Sequence, residues 1–146
     1  MVPAELLKDV YLFWGATPDD LAALAAITER KNFLAGDIVY RTGDPADAMF
    51  YLEMGTVEIV RPGTESVFAG FGTGQTVGEV AFFDGGNRAA VARTREVTRL
   101  LRVPFDMLRT LLAERPALAL VVYRNAAMFL AKHLRQLALE INHRYF

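Results

Sequence analysis

At 146 residues and 16.2 kDa the chain has the size of one ordinary domain, which leaves little room for a second independent core. Its 53% hydrophobic and 23% charged residues, with a mean hydropathy of +0.21, exclude disorder, collagen-like repeats and low complexity. The net charge of -1 provides no overall positive field to draw it to nucleic acid or an anionic membrane.

Read from the N-terminus, Glu5, Lys8 and Asp9 interrupt the first apolar residues, so this end does not resemble a secretory signal. Thr17-Pro18-Asp19-Asp20 reads as a helix start: Thr at the N-cap, Pro at the first helical position and an acid three residues after the cap. Leu21, Leu24 and Ile27 supply the helical stripe that follows. From Phe33 to Val103 the pattern changes to short β-type runs: Ile38 to Arg41, Met49 to Glu53, Thr56 to Arg61, Val67 to Phe71, Ala89 to Thr94 and Val97 to Val103. Turns rich in Gly, Pro and Asp separate them, as in a compact barrel or sandwich. After Pro104 the helical period returns in Phe105 to Ala113, and again from Pro116 to about Ile141 with no Gly or Pro inside.

The last helix carries two apolar stripes. Leu120, Tyr123, Ala127, Leu130, Leu134, Leu137 and Ile141 alternate in steps of three and four, the spacing of a seam along a partner helix, while Leu118, Val122, Ala126 and Phe129 form a neighbouring stripe. One stripe suffices to dock the helix on its own barrel, so the second points to a homodimer; the alternative is that both are buried within one chain. Arg124 interrupts the most apolar stretch short of a membrane span, and no direct membrane insertion is expected.

Charge is unevenly distributed. Residues 1–87 hold 5 Lys+Arg and 13 Asp+Glu, and residues 88–146 hold 11 and 4. Either the halves attract each other within one fold, or the Arg-rich half holds an anion. With no cysteine, one serine (Ser66) and two histidines ten residues apart (His133 and His143), the inventory opposes disulfides, thiolate metal sites, hydrolytic triads and metal chemistry. The expectation is a cytoplasmic protein that is not an enzyme and binds no metal.

The segment Gly78-Glu79-Val80-Ala81-Phe82-Phe83-Asp84-Gly85-Gly86-Asn87-Arg88-Ala89-Ala90 carries the chemistry. A carboxylate and a guanidinium stand nine residues apart, each flanked by small residues that let a ligand approach the backbone. Val80 to Phe83 can form one helical turn whose N–H groups attract an anion, and Arg88 can fork onto two phosphate oxygens. Glu79 can accept from neutral hydroxyls, such as those of a sugar. The competing reading is a structural Glu79–Arg88 salt bridge in a connecting loop.

This segment resembles the phosphate-binding cassette of the cyclic nucleotide-binding domain family, the β-roll sensor modules of catabolite-activator-type regulators, cyclic-nucleotide-dependent kinases and gated channels. Gly78 to Ala81 match the family's Gly-Glu-(Leu/Ile/Val)-Ala, and Arg88 to Ala90 its Arg-Ala-Ala. Upstream, Gly36 to Tyr40, Gly43 to Leu52 and Gly55 to Ile59 resemble its turn-and-strand signatures. The resemblance covers nearly the whole chain and implies a mainly β fold with flanking helices. One domain would span 1–146: N-terminal helices over 1–31, a jelly-roll-like β-roll over 32–103 with the cassette at 78–90, and two C-terminal helices over 104–146.

Carried over residue by residue, the resemblance implies that Arg88 pairs with the cyclic phosphate and that Glu79 accepts from the ribose 2'-hydroxyl. Gly78 and Ala90 keep the cassette open, and backbone N–H groups around Val80, Ala81 and Ala89 complete the anion site. Members preferring cGMP often follow the Arg-Ala-Ala with a hydroxyl; Val91 in that place favours cAMP, with cGMP possible. His133 lies at about the distance downstream where catabolite-activator-type members place a base contact, with Phe129, Tyr145 and Phe146 as hydrophobic lids; the plainer reading of His133 is a solvated helix residue. No helix-turn-helix follows the last helix, so no nucleic acid is expected to bind through this chain alone despite the Arg93, Arg95, Arg99 and Arg102 run. The expected partners are a cyclic nucleotide and either a second copy or a parent or effector domain; the closing segment also resembles nucleotide-binding tails on some bacterial transporters and metabolic enzymes. The alternative is a structural dimerisation module of the same fold that binds no nucleotide.

Overall fold

The computed structural model describes the backbone of residues 2–145 and the side chains of residues 2–142. A short helix α1 (Ala4–Leu7), a 3-10 turn (Tyr11–Phe13) and helix α2 (Pro18–Ile27) precede the strands. The α2 start is a closed capping box: Asp20 N–H donates to the Thr17 hydroxyl, and Thr17 N–H donates to the Asp20 carboxylate.

Eight strands follow: β1 (Glu29–Phe33), β2 (Ile38–Tyr40), β3 (Ala48–Met54), β4 (Val57–Val60), β5 (Val67–Phe71), β6 (Thr76–Val77), β7 (Val91–Thr94) and β8 (Thr98–Pro104). A one-turn helix α3 (Val80–Asp84) is inserted between β6 and β7, and α4 (Phe105–Glu114) and α5 (Pro116–Tyr145) close the chain. Two four-stranded antiparallel sheets, ordered β1-β8-β3-β6 and β2-β7-β4-β5, make a β-roll flanked by helices, the architecture expected from the resemblance.

Two strands depart from the sequence expectation. β1 begins at Glu29, inside the segment assigned to the N-terminal helices; four of its five residues are polar or charged, and it is an exposed edge strand pairing only with β8. β6 has two residues, too few for any period to register.

Strand β3 explains how the roll and helices share one sheet. Ala48, Phe50 and Leu52 point into the roll with Val57, Ile59, Ala92 and Leu100, while Met49 and Tyr51 point the other way, into a core with Leu12, Phe13, Leu24, Phe105 and Leu108. Both faces of β3 are therefore covered, and its run is nearly continuously buried instead of alternating.

The charge asymmetry is absorbed by the fold. Arg102 pairs with Glu29 and Asp47, Arg93 with Glu58 and Glu65, Arg95 with Glu58, and Arg115 with Asp19 and Asp20, each joining the second half to the first. Three of the four arginines that invited a nucleic-acid reading are thus ion-paired, and the fourth, Arg99, donates to Asn32. No helix among the described residues is long and apolar enough to cross a membrane.

The two stripes of α5 have different fates. Leu118, Val122 and Ala126 are buried in the helical core. Leu120, Tyr123, Leu130, Leu134, Leu137 and Ile141 are exposed, Leu120 by 70% and Leu134 by 66%, so burial of both stripes within one chain does not occur.

Candidate functional site

The cassette sits where β6, α3 and the approach to β7 meet the open side of the roll. An isolated bridge between Pro45 and Asn87 ties it to the turn before β3. The Arg88 peptide is held from both sides, its N–H donating to Asp44 and its carbonyl accepting from Gly43. With the backbone so anchored, the Arg88 side chain turns inward and is only 6% exposed.

Its guanidinium donates through Nη1 to the Gly78 carbonyl (2.9 Å) and through Nη2 to the Ala48 carbonyl, and lies 4.1 Å above the Tyr40 ring. Among the described residues no carboxylate lies within 4.0 Å of it. Burial pulls its pKa below the ordinary guanidinium value, while Tyr40, Asp47 and Asp44 act in the opposite direction. This is a cation taken out of water and left without a counter-charge in hydrogen-bonding reach, an arrangement that favours capture of an anion.

Glu79 is the second buried charge, 7% exposed. It does not pair with Arg88, so the structural salt bridge does not form; its Oε2 accepts from the Tyr11 hydroxyl at 2.8 Å. Burial holds its carboxyl above the usual carboxylate range; the Tyr11 bond, its own backbone N–H and the charge of His133 act against that shift. Burial and the neighbouring Glu79 carboxylate raise the Tyr11 phenol well above its ordinary value, so it stays a donor.

Gly78, Glu79, Val80, Ala81, Arg88, Ala89 and Ala90 line one cavity of about 310 Å³, within the size range of small-molecule sites. The N–H groups of Val80, Ala81 and Ala89 have no protein acceptor among the described residues. Across the cavity stand Tyr40, Ile59, Phe68 and Phe71, with Phe68 half-exposed. The cavity thus has a charged, N–H-rich end and an aromatic wall. Gly78 is at φ +79, and a Cβ there would lie 2.6 Å from Arg88 Nη1, so no side chain fits beside the guanidinium.

Two expected site residues lie elsewhere. Val91 is the first residue of β7, beside the cavity and not among its lining residues. His133 lines a separate groove with Tyr11, Trp14, Asn125 and Phe129, its ring 4.1 Å from that of Phe129 and its Nδ1 2.9 Å from the Phe129 carbonyl oxygen. The reason is geometric: the buried stripe of α5 ends at Ala126, and the helix then runs on past the roll. Phe129 stacks on Tyr11 instead of lidding the cavity, and the Tyr145 and Phe146 side chains fall outside the described residues.

Tyr40, Phe68 and Phe71 in the cavity wall and Tyr11 behind Glu79 are not among the residues to which the sequence points. Phe68 and Phe71 read only as strand pattern, and Tyr40 and Tyr11 reach Arg88 and Glu79 through tertiary contacts with no local signal.

The model for the cyclic nucleotide-binding domain matches residues 30–115, more than half of the chain. Among curated relatives, a CRP-like cAMP-activated global transcriptional regulator of Mycobacterium tuberculosis is 30% identical over 135 residues, covering 90% of this chain and 58% of that protein. Glutaminase 2 of Bradyrhizobium diazoefficiens is 31% identical over 117 residues, covering 80% of this chain and 18% of its own length. Among solved structures, the N-terminal domain of a transcriptional regulator from Streptomyces coelicolor A3(2) superposes with a TM-score of 0.78 at 29% identity, over 88% of this chain and 94% of that one. The chain spans somewhat over half of the first of these relatives and a small part of the second. The roll, the cassette and these matches agree: the chain belongs to the cyclic nucleotide-binding domain family.

Proposed function

We propose that this chain is a non-catalytic regulatory module that binds a 3',5'-cyclic nucleotide, cAMP in preference to cGMP, and passes occupancy to its C-terminal helices. The observation that carries the reading is Arg88: a buried guanidinium with, among the described residues, no carboxylate in reach, beside N–H groups with no protein acceptor among those residues. A cyclic phosphate supplies the missing charge, a ribose hydroxyl can donate to Glu79, and Phe68 and Phe71 offer an apolar face for the base. The preference for cAMP rests on Val91, which offers no hydroxyl where cGMP-preferring members often have one. The regulatory role draws support from the cAMP-activated relative. We place the module in the cytoplasm, without metal, as a homodimer through the exposed stripe of α5 or docked on a parent domain.

That same stripe favours the second reading, a dimerisation module without nucleotide. Calorimetric titration of denatured and refolded protein with cAMP and cGMP separates the two. The expected result is saturable binding near one per chain, tighter for cAMP and lowered about 30-fold or more in Arg88→Ala, as expected from losing about 2 kcal/mol of charge-assisted contact. No binding to either nucleotide overturns the sensor reading, and unchanged affinity in Arg88→Ala overturns the phosphate role.

A further inference from the structure

The 3-10 turn is joined to both the cassette and the last helix. The Tyr11 hydroxyl donates to Glu79 across 68 residues of sequence, while the same ring stacks on Phe129 of α5 with centroids 4.4 Å apart and planes 20° from parallel. Asn125, one turn earlier on α5, donates through Nδ2 to the carbonyls of Leu12 and Trp14, fastening the turn's central residue and the residue just after its end. The 3-10 turn and this part of α5 are therefore one mechanical piece, and Tyr11 is its contact with the cassette.

We propose that Tyr11 is the positioning residue of the Glu79 carboxylate and the link through which the nucleotide cavity and α5 are coupled. This rests on the cyclic-nucleotide reading above. A carboxylate accepts several hydrogen bonds, so the phenol on Oε2 leaves capacity for a ligand hydroxyl while fixing the direction of the group. Any shift of α5 that carries Phe129 away drags the phenol off Glu79 and weakens the hydroxyl site; by linkage, a ligand that draws Glu79 into the cavity favours the α5 position in which Tyr11 still reaches it.

The test uses Tyr11→Phe, which deletes the hydroxyl and keeps the ring stack, with cAMP and 2'-deoxy-cAMP as ligands. Expected are cAMP affinity lowered about tenfold or more, as for one charge-assisted bond lost, and a reduced preference for cAMP over the deoxy analogue. The acid limb of the binding profile also moves to higher pH, because Glu79 loses a donor that stabilised its charge. Tyr40 and Arg88 across the cavity and His133 on α5 also face Glu79; all three are retained in the variant, so the difference between the two proteins isolates the phenol. A merely structural Tyr11 would leave both the deoxy discrimination and the pH profile unmoved, and that result overturns the proposal.

Phe129→Leu provides the second arm. Trp14 is the only tryptophan and stands edge-on to Tyr11 at 6.5 Å, so its emission reports this junction. The variant is expected to keep cAMP binding but lose most of the cAMP-dependent change in emission; an unchanged response overturns the link to α5. If wild-type protein binds no cyclic nucleotide, the cyclic-nucleotide reading fails first and takes this link with it, an outcome distinct from normal binding with a silent Tyr11.

Discussion

Gly78→Ala tests the geometry around Arg88 directly. The residue sits at φ +79, where an L side chain costs about 1–2 kcal/mol. Its new Cβ would lie 2.6 Å from Arg88 Nη1 and 3.3 Å from the guanidinium carbon, so the guanidinium must move and the bond from Nη1 to the Gly78 carbonyl is lost. A charge-assisted bond of this kind contributes about 1.5–3 kcal/mol, giving a total near 3–4 kcal/mol. Gly36→Ala is the control: φ is +84 and nothing lies within 4 Å of the added Cβ, so it carries the backbone strain alone. Urea unfolding should therefore separate the two variants by about 2 kcal/mol, and calorimetry should show cAMP affinity reduced about 30-fold in Gly78→Ala and little changed in Gly36→Ala. Equal stabilities, together with wild-type affinity in Gly78→Ala, would refute the reasoning.

Gly55→Ala is expected to be more damaging still, by more than about 3 kcal/mol, because its Cβ would lie 2.7 Å from the Thr98 Cα, which cannot swing away; soluble yield and the urea midpoint check this. On α5, Leu118→Ala should cost about 3 kcal/mol of stability, whereas Leu134→Glu should lower the mass in solution from dimer to monomer and remove any dependence of the melt on protein concentration. Sedimentation of Leu134→Glu at the wild-type mass would remove the seam. Glu79→Gln bears on pH: since burial raises the folded-state pKa, the contribution of Glu79 to stability is full below its unfolded-state value and is lost as pH rises through the folded one. Thermal melts from acid to neutral pH should therefore show wild type losing ground to the glutamine variant as pH rises; parallel curves would mean that Glu79 titrates as it does in the unfolded chain.

The elements most legible in sequence were those whose signal is local. The Thr17 to Asp20 cap, the Val67–Phe71 strand and the two helices after Pro104 each carry their period and stop residues within a few positions. β1 was illegible because Glu29, Arg30, Lys31 and Asn32 form a strand through partners on β8, not through alternation. The cassette could be read because Gly78, Glu79, Arg88 and Ala89 lie close together in the chain. Its surroundings could not: the Tyr40 ring under Arg88 and the Tyr11 hydroxyl on Glu79 arrive from distant elements. His133 is exposed on α5, in line with its plainer reading as a solvated helix residue; helical period gives its angular position but not how far the roll extends beside it.

The strand order has a consequence for how the molecule is made. Of the eight described strands only β4 and β5 pair as chain neighbours, while β8 zips between β1 and β3, and its Arg102 meets Glu29 from 73 residues away. During synthesis the acidic stretch emerges first, without the arginines that later neutralise it. The first sheet has no centre until residues 98–104 leave the ribosome. Loop closure on this scale is slow, and the pairings of β1, β2 and β3 with the late strands must wait for it. The missing strand and its counter-charges arrive together, so completion of the first sheet and neutralisation of Glu29 and Asp47 wait on the same residues.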